Sequence, residues 1–135
     1  MSLSLIRQAF EKRLAQLSPA LSTAHENVQF TPVPGTPYQR VNLLPAAPDN
    51  SIQGGASYFE RGLFQITLCY PQGVGAGAAE AQSQLLRTHF KRGSALLESG
   101  LTITVIETPK VAPARLEGDR YEIPISVAFQ ALTAT

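Results

Sequence analysis

The run from Tyr58 to Tyr70, YFERGLFQITLCY, alternates its side chains and is closed by Pro71. A period of two is the signature of a strand. It puts Phe64, Ile66, Leu68 and Tyr70 on one strongly apolar face. The other face carries Phe59, Arg61, Leu63, Gln65, Thr67 and Cys69, which are mixed. That inequality suits a sheet covered by helices on one side only. Gly62 inside the run marks a bulge or a bend. Beyond Pro71 the chain crosses Gly73-Val74-Gly75-Ala76-Gly77 and turns helical. In that helix Ala78, Ala81, Leu85, Leu86, His89 and Phe90 form the expected inner face, with Glu80, Gln82, Gln84, Arg87 and Lys91 outside. Gly93 fits a left-handed C-terminal cap, and Lys91 and Arg92 suit the negative end of the helix dipole.

The remaining elements follow from the same periodicities. Leu3, Ile6, Phe10, Leu14 and Leu17 make the apolar stripe of an opening helix that stops before Pro19, with Ser2 or Ser4 as its cap. Asn27 to Phe30 alternates as a short strand, and Pro32, Pro34 and Pro37 then stiffen an extended connection. A strand resumes at Tyr38, with Gln39, Val41 and Leu43 on one side. Pro45 to Gly55 has the composition of a surface loop. Leu101 to Ile106 is a β-branched strand, and Arg120 to Phe129 alternates with Tyr121, Ile123, Ile125, Val127 and Phe129 together. Pro124 inside that run points to an edge position or a bulge, because it cannot donate to a ladder. The order predicts an α+β fold over residues 1–135 as one domain: a mixed, mainly antiparallel sheet with two helices packed on one face.

Composition narrows the function. Of 135 residues, 44% are hydrophobic, enough for a core. The net charge of +1 and scattered cations give no basic face for nucleic acid, and none is expected to bind. Cys69 is the only cysteine, so one chain builds neither a disulfide nor a thiolate zinc site. No apolar run is long enough to cross a bilayer, and the N-terminus lacks the pattern of a signal peptide. The expectation is a cytoplasmic protein when made.

Little in the sequence suggests catalysis. Gly73, Gly75 and Ala78 match G-x-G-x-x-A between strand and helix, formally the setting of a dinucleotide fingerprint. The preceding strand alternates, however, and too little chain remains for further βαβ units. A flexible lead-in to the helix explains the glycines equally well. His25 and His89 lie on different elements and gather no ligand set. The expected roles are a satisfied core-edge imidazole for His89 and a buried structural thiol for Cys69. No metal, cofactor or catalytic residue is expected.

The combined pattern resembles the tail terminator proteins of long-tailed phages, in the manner of their minor tail protein U. The opening IRQAFEKRL, the segment ENVQFTPVPGTPY, the central YFERGLFQITLCYPQGVG with the helix AEAQSQLLRTHFKRG, and IETP followed by DRYEIPISVAF carry the likeness. It implies a structural virion protein without a cofactor. Such proteins form a ring, commonly of six, at the head-proximal end of the tail tube. The ring stops tube growth and makes the surface that receives the head. The implied partners are the tail tube protein, a head-completion or neck protein, and further copies of the chain. The implied place is the virion tail, after assembly in the host cytoplasm.

Ring contacts are expected from exposed strand edges and from the loop Ala46 to Ser57. Candidate contact residues are Pro48, Asp49, Asn50, Gly54 and Gly55 in that loop, with Glu60, Arg61, Asp119 and Arg120 as the charged ones. Both charged pairs also read as solvated strand ends. Three alternatives stay open: another connector or tube component, a small nucleotide-binding enzyme using Gly73 to Gly77, and an adaptor that forms no ring.

Overall fold

The computed structural model describes residues 2–18, 21–50 and 54–134. Its elements run α1 (Ser2–Ala15), β1 (Ser22–Ala24), β2 (Tyr38–Pro45), β3 (Ser57–Pro71), α2 (Gly77–His89), β4 (Ala95–Glu98), β5 (Leu101–Val105), β6 (Lys110–Val111), β7 (Arg115–Glu117) and β8 (Arg120–Ala134). The architecture is α+β, with both helices on one face of a mainly antiparallel sheet.

The strand order is β1-β2-β3-β8-β5-β4, and β6 and β7 also lie along β8. Antiparallel β3 and β8 pair without interruption from Ser57↔Ala134 to Pro71↔Arg120. This ladder is the spine of the molecule. Its even-numbered β3 residues and odd-numbered β8 residues share one face, where Phe64, Ile66, Leu68, Ile125, Val127 and Phe129 are fully or almost fully buried. Ile6, Phe10 and Leu14 of α1 and Ala79 and Leu86 of α2 close over that face. Phe10 stacks on Phe64 at 4.8 Å between centroids and touches Phe90 and Phe129 as well, so one ring joins both helices to the spine.

Four expectations need correction. The short strand is Ser22–Ala24, parallel to β2, because Asn27 takes a left-handed turn (φ 59°) where a strand was expected. Gly62 lies in unbroken register with Pro45 and Phe129, so it forms no bulge. A Cβ there would overlap the Leu44 carbonyl, so glycine is needed for the close approach of β2. Pro124 sits in a central strand opposite Thr67. Its carbonyl accepts from Ala112, so its N–H side faces the gap between β6 and β7, where no partner strand is lost. Finally, α2 is rotated from the expected face. It buries Ala79, Gln82, Ser83 and Leu86 and exposes Ala78, Ala81 and Leu85.

The first helix ends at Ala15 with tight bonds from Gln16 to Arg13 and from Leu17 to Leu14. The expected stop, Pro19, lies outside the described residues. Ser4 is inside the helix and so does not cap it.

Candidate functional site

The loop singled out in the sequence is tied down along its first arm. Ala46 donates to the Arg61 carbonyl, and Asp49 exchanges both backbone bonds with Phe59 at 2.9 Å. Arg61 Nε donates to the Ala47 carbonyl at 2.7 Å. Pro48 and Asn50 are exposed beside this arm, as are Gly54 and Gly55 on the return. Residues 51–53 lie outside the described residues. The loop is therefore a continuation of the β2–β3 hairpin.

The structure brings Glu60 and Arg61 to this arm and separates them from Asp119 and Arg120. Arg61 and the Pro71↔Arg120 rung are ten residue steps apart along β3, about 34 Å at strand rise. Arg61 and Asp119 are exposed, whereas Glu60 and Arg120 are buried. Arg120 is spent within the chain. It donates to the Thr36 carbonyl at 2.6 Å and the Val33 carbonyl at 2.8 Å, and its guanidinium lies 4.9 Å from the centroid of Tyr38. A buried guanidinium with this fork of donors holds the proline-rich turn against β2.

Sequence reasoning missed a second polar cluster on the helix-free face. Glu122 Oε1 accepts from Arg40 at 3.2 Å and from Arg115 at 3.3 Å. Cys69 Sγ lies 3.7 Å from Glu122 Oε2 and from Arg40 Nη1. Burial opposes the Glu122 charge, but the bonds and fields of Arg40 and Arg115 outweigh it and hold the carboxyl below its usual range. Burial pushes the Cys69 thiol up, which keeps it protonated and opposes nucleophilic use. The strand register is the signal: Cys69 faces both Tyr38 and Glu122. Only the order of strands reveals it.

The histidines and the glycine bend hold structural positions. His89 Nε2 contacts the Arg13 carbonyl, while Arg13 Nη2 donates to the His89 carbonyl at 3.0 Å, clasping the helix ends together. His25 Nδ1 is 3.4 Å from Glu11. Among the described residues, no three His, Cys, Asp or Glu side chains group as metal ligands. Gly73 and Gly75 both have φ of 83°, so they supply left-handed turns before α2. The strand before the bend is flanked by antiparallel β2 and β8, whereas a dinucleotide unit needs a parallel neighbour. No helix among the described residues is long and apolar enough to cross a membrane.

These features define the class: a small α+β protein whose charged groups mostly fasten its own strands and loops. The family model described as phage tail terminator protein matches residues 5–129, and the chain belongs to that family. It is thus a structural protein of the phage tail, in a family that meets tail and head components. Among chains of known structure, seven match. One superposes with a TM-score of 0.76 at 30% identity, over 97% of this chain and 96% of its own. No protein of curated function matches.

Proposed function

We propose that the protein caps the head-proximal end of the tail tube as a ring, stops tube polymerisation and forms the surface that receives the head. The family match over residues 5–129 carries this proposal. The partners are the tail tube protein, a head-completion or neck protein, and further copies of the chain, six in the ring. Assembly takes place in the host cytoplasm, and no catalysis is involved. The whole of residues 1–135 acts as one domain.

The hairpin arm supports this reading as a contact element. Pro48, Asp49, Asn50, Gly54 and Gly55 lie at its tip, and Arg61 stands at its base. Asp119 offers an exposed charge at the opposite end of the sheet. Arg120 contributes from inside the subunit by holding the proline-rich turn, and Glu60 is buried at the base of the arm.

Tube subunits polymerised with the protein and viewed by negative-stain microscopy provide the test. The intact chain yields tubes of limited length with one capped end. A variant with residues 50–57 replaced by two residues, which with Tyr58 make a three-residue hairpin loop between Asp49 and Phe59, keeps the Asp49 bridge and the fold, as read by its melting curve, but leaves tubes overlong. Normal termination by that variant would remove the arm from the mechanism. Overlong tubes with the intact chain would reject termination itself.

A further inference from the structure

The outer side of β2 can be followed position by position. Successive backbone N–H groups of a strand point to opposite sides. Ala46, directly after β2, donates to the Arg61 carbonyl of β3, so the even-numbered N–H groups face β3 and the odd-numbered ones face outward. The odd positions from 37 to 45 are Pro37, Gln39, Val41, Leu43 and Pro45. The two prolines have no N–H to offer. Gln39 and Val41 face β1, which lies parallel with Ser22 beside Tyr38 and Ala24 beside Arg40. Leu43 lies beyond the end of β1, and there Glu26 Oε1 accepts its N–H at 3.1 Å. Every outward position is therefore proline, strand-covered or capped by a carboxylate.

The chain places Glu26 for this. Ser22 and Ala24 lie along β2 in the strand, and residue 26 continues their alternation. Asn27 then takes φ of 59° and turns the backbone away, so the Glu26 side chain reaches the edge where the strand itself no longer runs. Arg7 of α1 holds the same oxygen at 2.8 Å. His25 lies 3.4 Å from Glu11 of α1, and Gln39 Nε2 donates to Thr23 Oγ1 at 3.0 Å. Residues 22–26 thus form a strap fastened to α1 on one side and to β2 on the other.

Uncovered, the edge would fit a copy of itself. The outward positions are symmetric about Val41: Gln39 exchanges with Leu43, and Pro37 with Pro45. Two bare β2 edges can meet antiparallel about a two-fold axis at Val41, making about six backbone bonds between prolines that end the ladder. Such an edge is a hazard to a chain that must stay unpaired until it meets its target. We infer that the strap, with the Glu26 carboxylate as its last bond, is a guard that keeps the β2 edges of two copies from pairing. The guard acts on the free chain and does not depend on the ring reading.

Glu26→Ala and Glu26→Gln test it. The Glu26 side chain is 37% exposed and outside the core, so both variants should melt cooperatively. Glu26→Gln keeps an oxygen that can accept from Leu43 and should match the wild type in mass by light scattering. Glu26→Ala should show a self-associated fraction beyond that of the wild type at the same concentration. When dilute, its Leu43 amide should exchange hydrogen roughly 10- to 100-fold faster than in the wild type, and slow again on concentration. In the register about Val41, Asn42 stands opposite Arg40 of the second copy. Adding Asn42→Arg to Glu26→Ala sets like charges against each other at both crossings and should restore the wild-type mass. Wild-type mass or loss of the fold in Glu26→Ala would overturn the guard, as would association that ignores Asn42→Arg. Equal association of the Gln and Ala variants would assign the effect to the Arg7 ion pair and overturn the role of the Leu43 bond.

Discussion

Arg120 offers the sharpest test of how this chain uses its charges. The side chain is 5% exposed and begins β8. Its two carbonyl acceptors, on Val33 and Thr36, belong to the proline-rich turn, and its face lies over Tyr38. The Asp119 carboxylate is 3.9 Å away and 79% exposed, so it adds little. A hydrogen bond to a charged donor contributes about 1.5–3 kcal/mol, and a largely desolvated cation over an aromatic ring about 1–2 kcal/mol. Arg120→Met keeps the stem and removes all three interactions. The freed carbonyls lie in a surface turn and can recover water if it opens, which limits the loss. The expected cost is about 3 kcal/mol, or about 10 °C in Tm for a chain of this size. Opening should also appear as new protease cleavage within residues 28–37. Arg120→Lys retains the charge but loses the fork, so most of the cost should persist. Tyr38→Phe keeps the ring and should cost less than about 1 kcal/mol. An Arg120→Met chain that melts like the wild type and resists cleavage would refute the clamp and return Arg120 to the pool of partner contacts.

Three further predictions concern the sheet and the start of α2. Gly62→Ala drives a Cβ into the Leu44 carbonyl, with Pro45 Cα at 3.0 Å and Ala46 N at 3.2 Å, all backbone, so urea unfolding should show a loss of about 2–3 kcal/mol. Gly77→Ala meets open space at the start of α2 and should instead gain about 0.5–1 kcal/mol; a loss there would contradict the helical placement. The lowered pKa of Glu122 makes its stabilisation complete above its unfolded value near 4.5, and falling pH removes that stabilisation through the still lower folded value. Glu122→Gln should therefore be less stable than wild type at pH 7 and converge on it in strong acid; a gap that persists at pH 2 would show that the loss is not electrostatic.

What the sequence made legible tracks element length. β3, β8 and α1 are long, and their periodicity named their buried faces before any partner was known. The strands β1, β4, β6 and β7 have two to four residues each, and they exist because a longer neighbour supplies their bonds. Nothing local distinguishes Lys110-Val111 from a loop. The error on α2 has another cause. A hydrophobic stripe marks the face a helix prefers to bury, and Ala78, Ala81 and Leu85 do form one. Within the chain, however, Ser83 is accommodated by bonding the Glu80 carbonyl at 2.7 Å, and the face against the sheet is the one that carries Ala79, Gln82, Ser83 and Leu86. The Arg40–Glu122–Arg115 cluster was hidden for a third reason. Its members come from three strands, so it appears only after the register is fixed.

The edges of the sheet bear on which contact mode assembly uses. Sequence alone pointed to exposed edges, but β2 is poorly suited to accept another strand. β1 runs beside Tyr38 to Arg40, Glu26 Oε1 accepts the Leu43 N–H at 3.1 Å, and Pro45 has no N–H to offer. Arg7 of α1 holds the same carboxylate oxygen at 2.8 Å. The Leu43 bond first, and Arg7 second, keep Glu26 below its usual range, so the plug remains charged and in place at neutral pH. A charged group turned onto an edge is a known way to suppress strand addition. The opposite edge at β4 is four residues long and packs beside α1. Neither edge gives the extended ladder that sheet continuation needs.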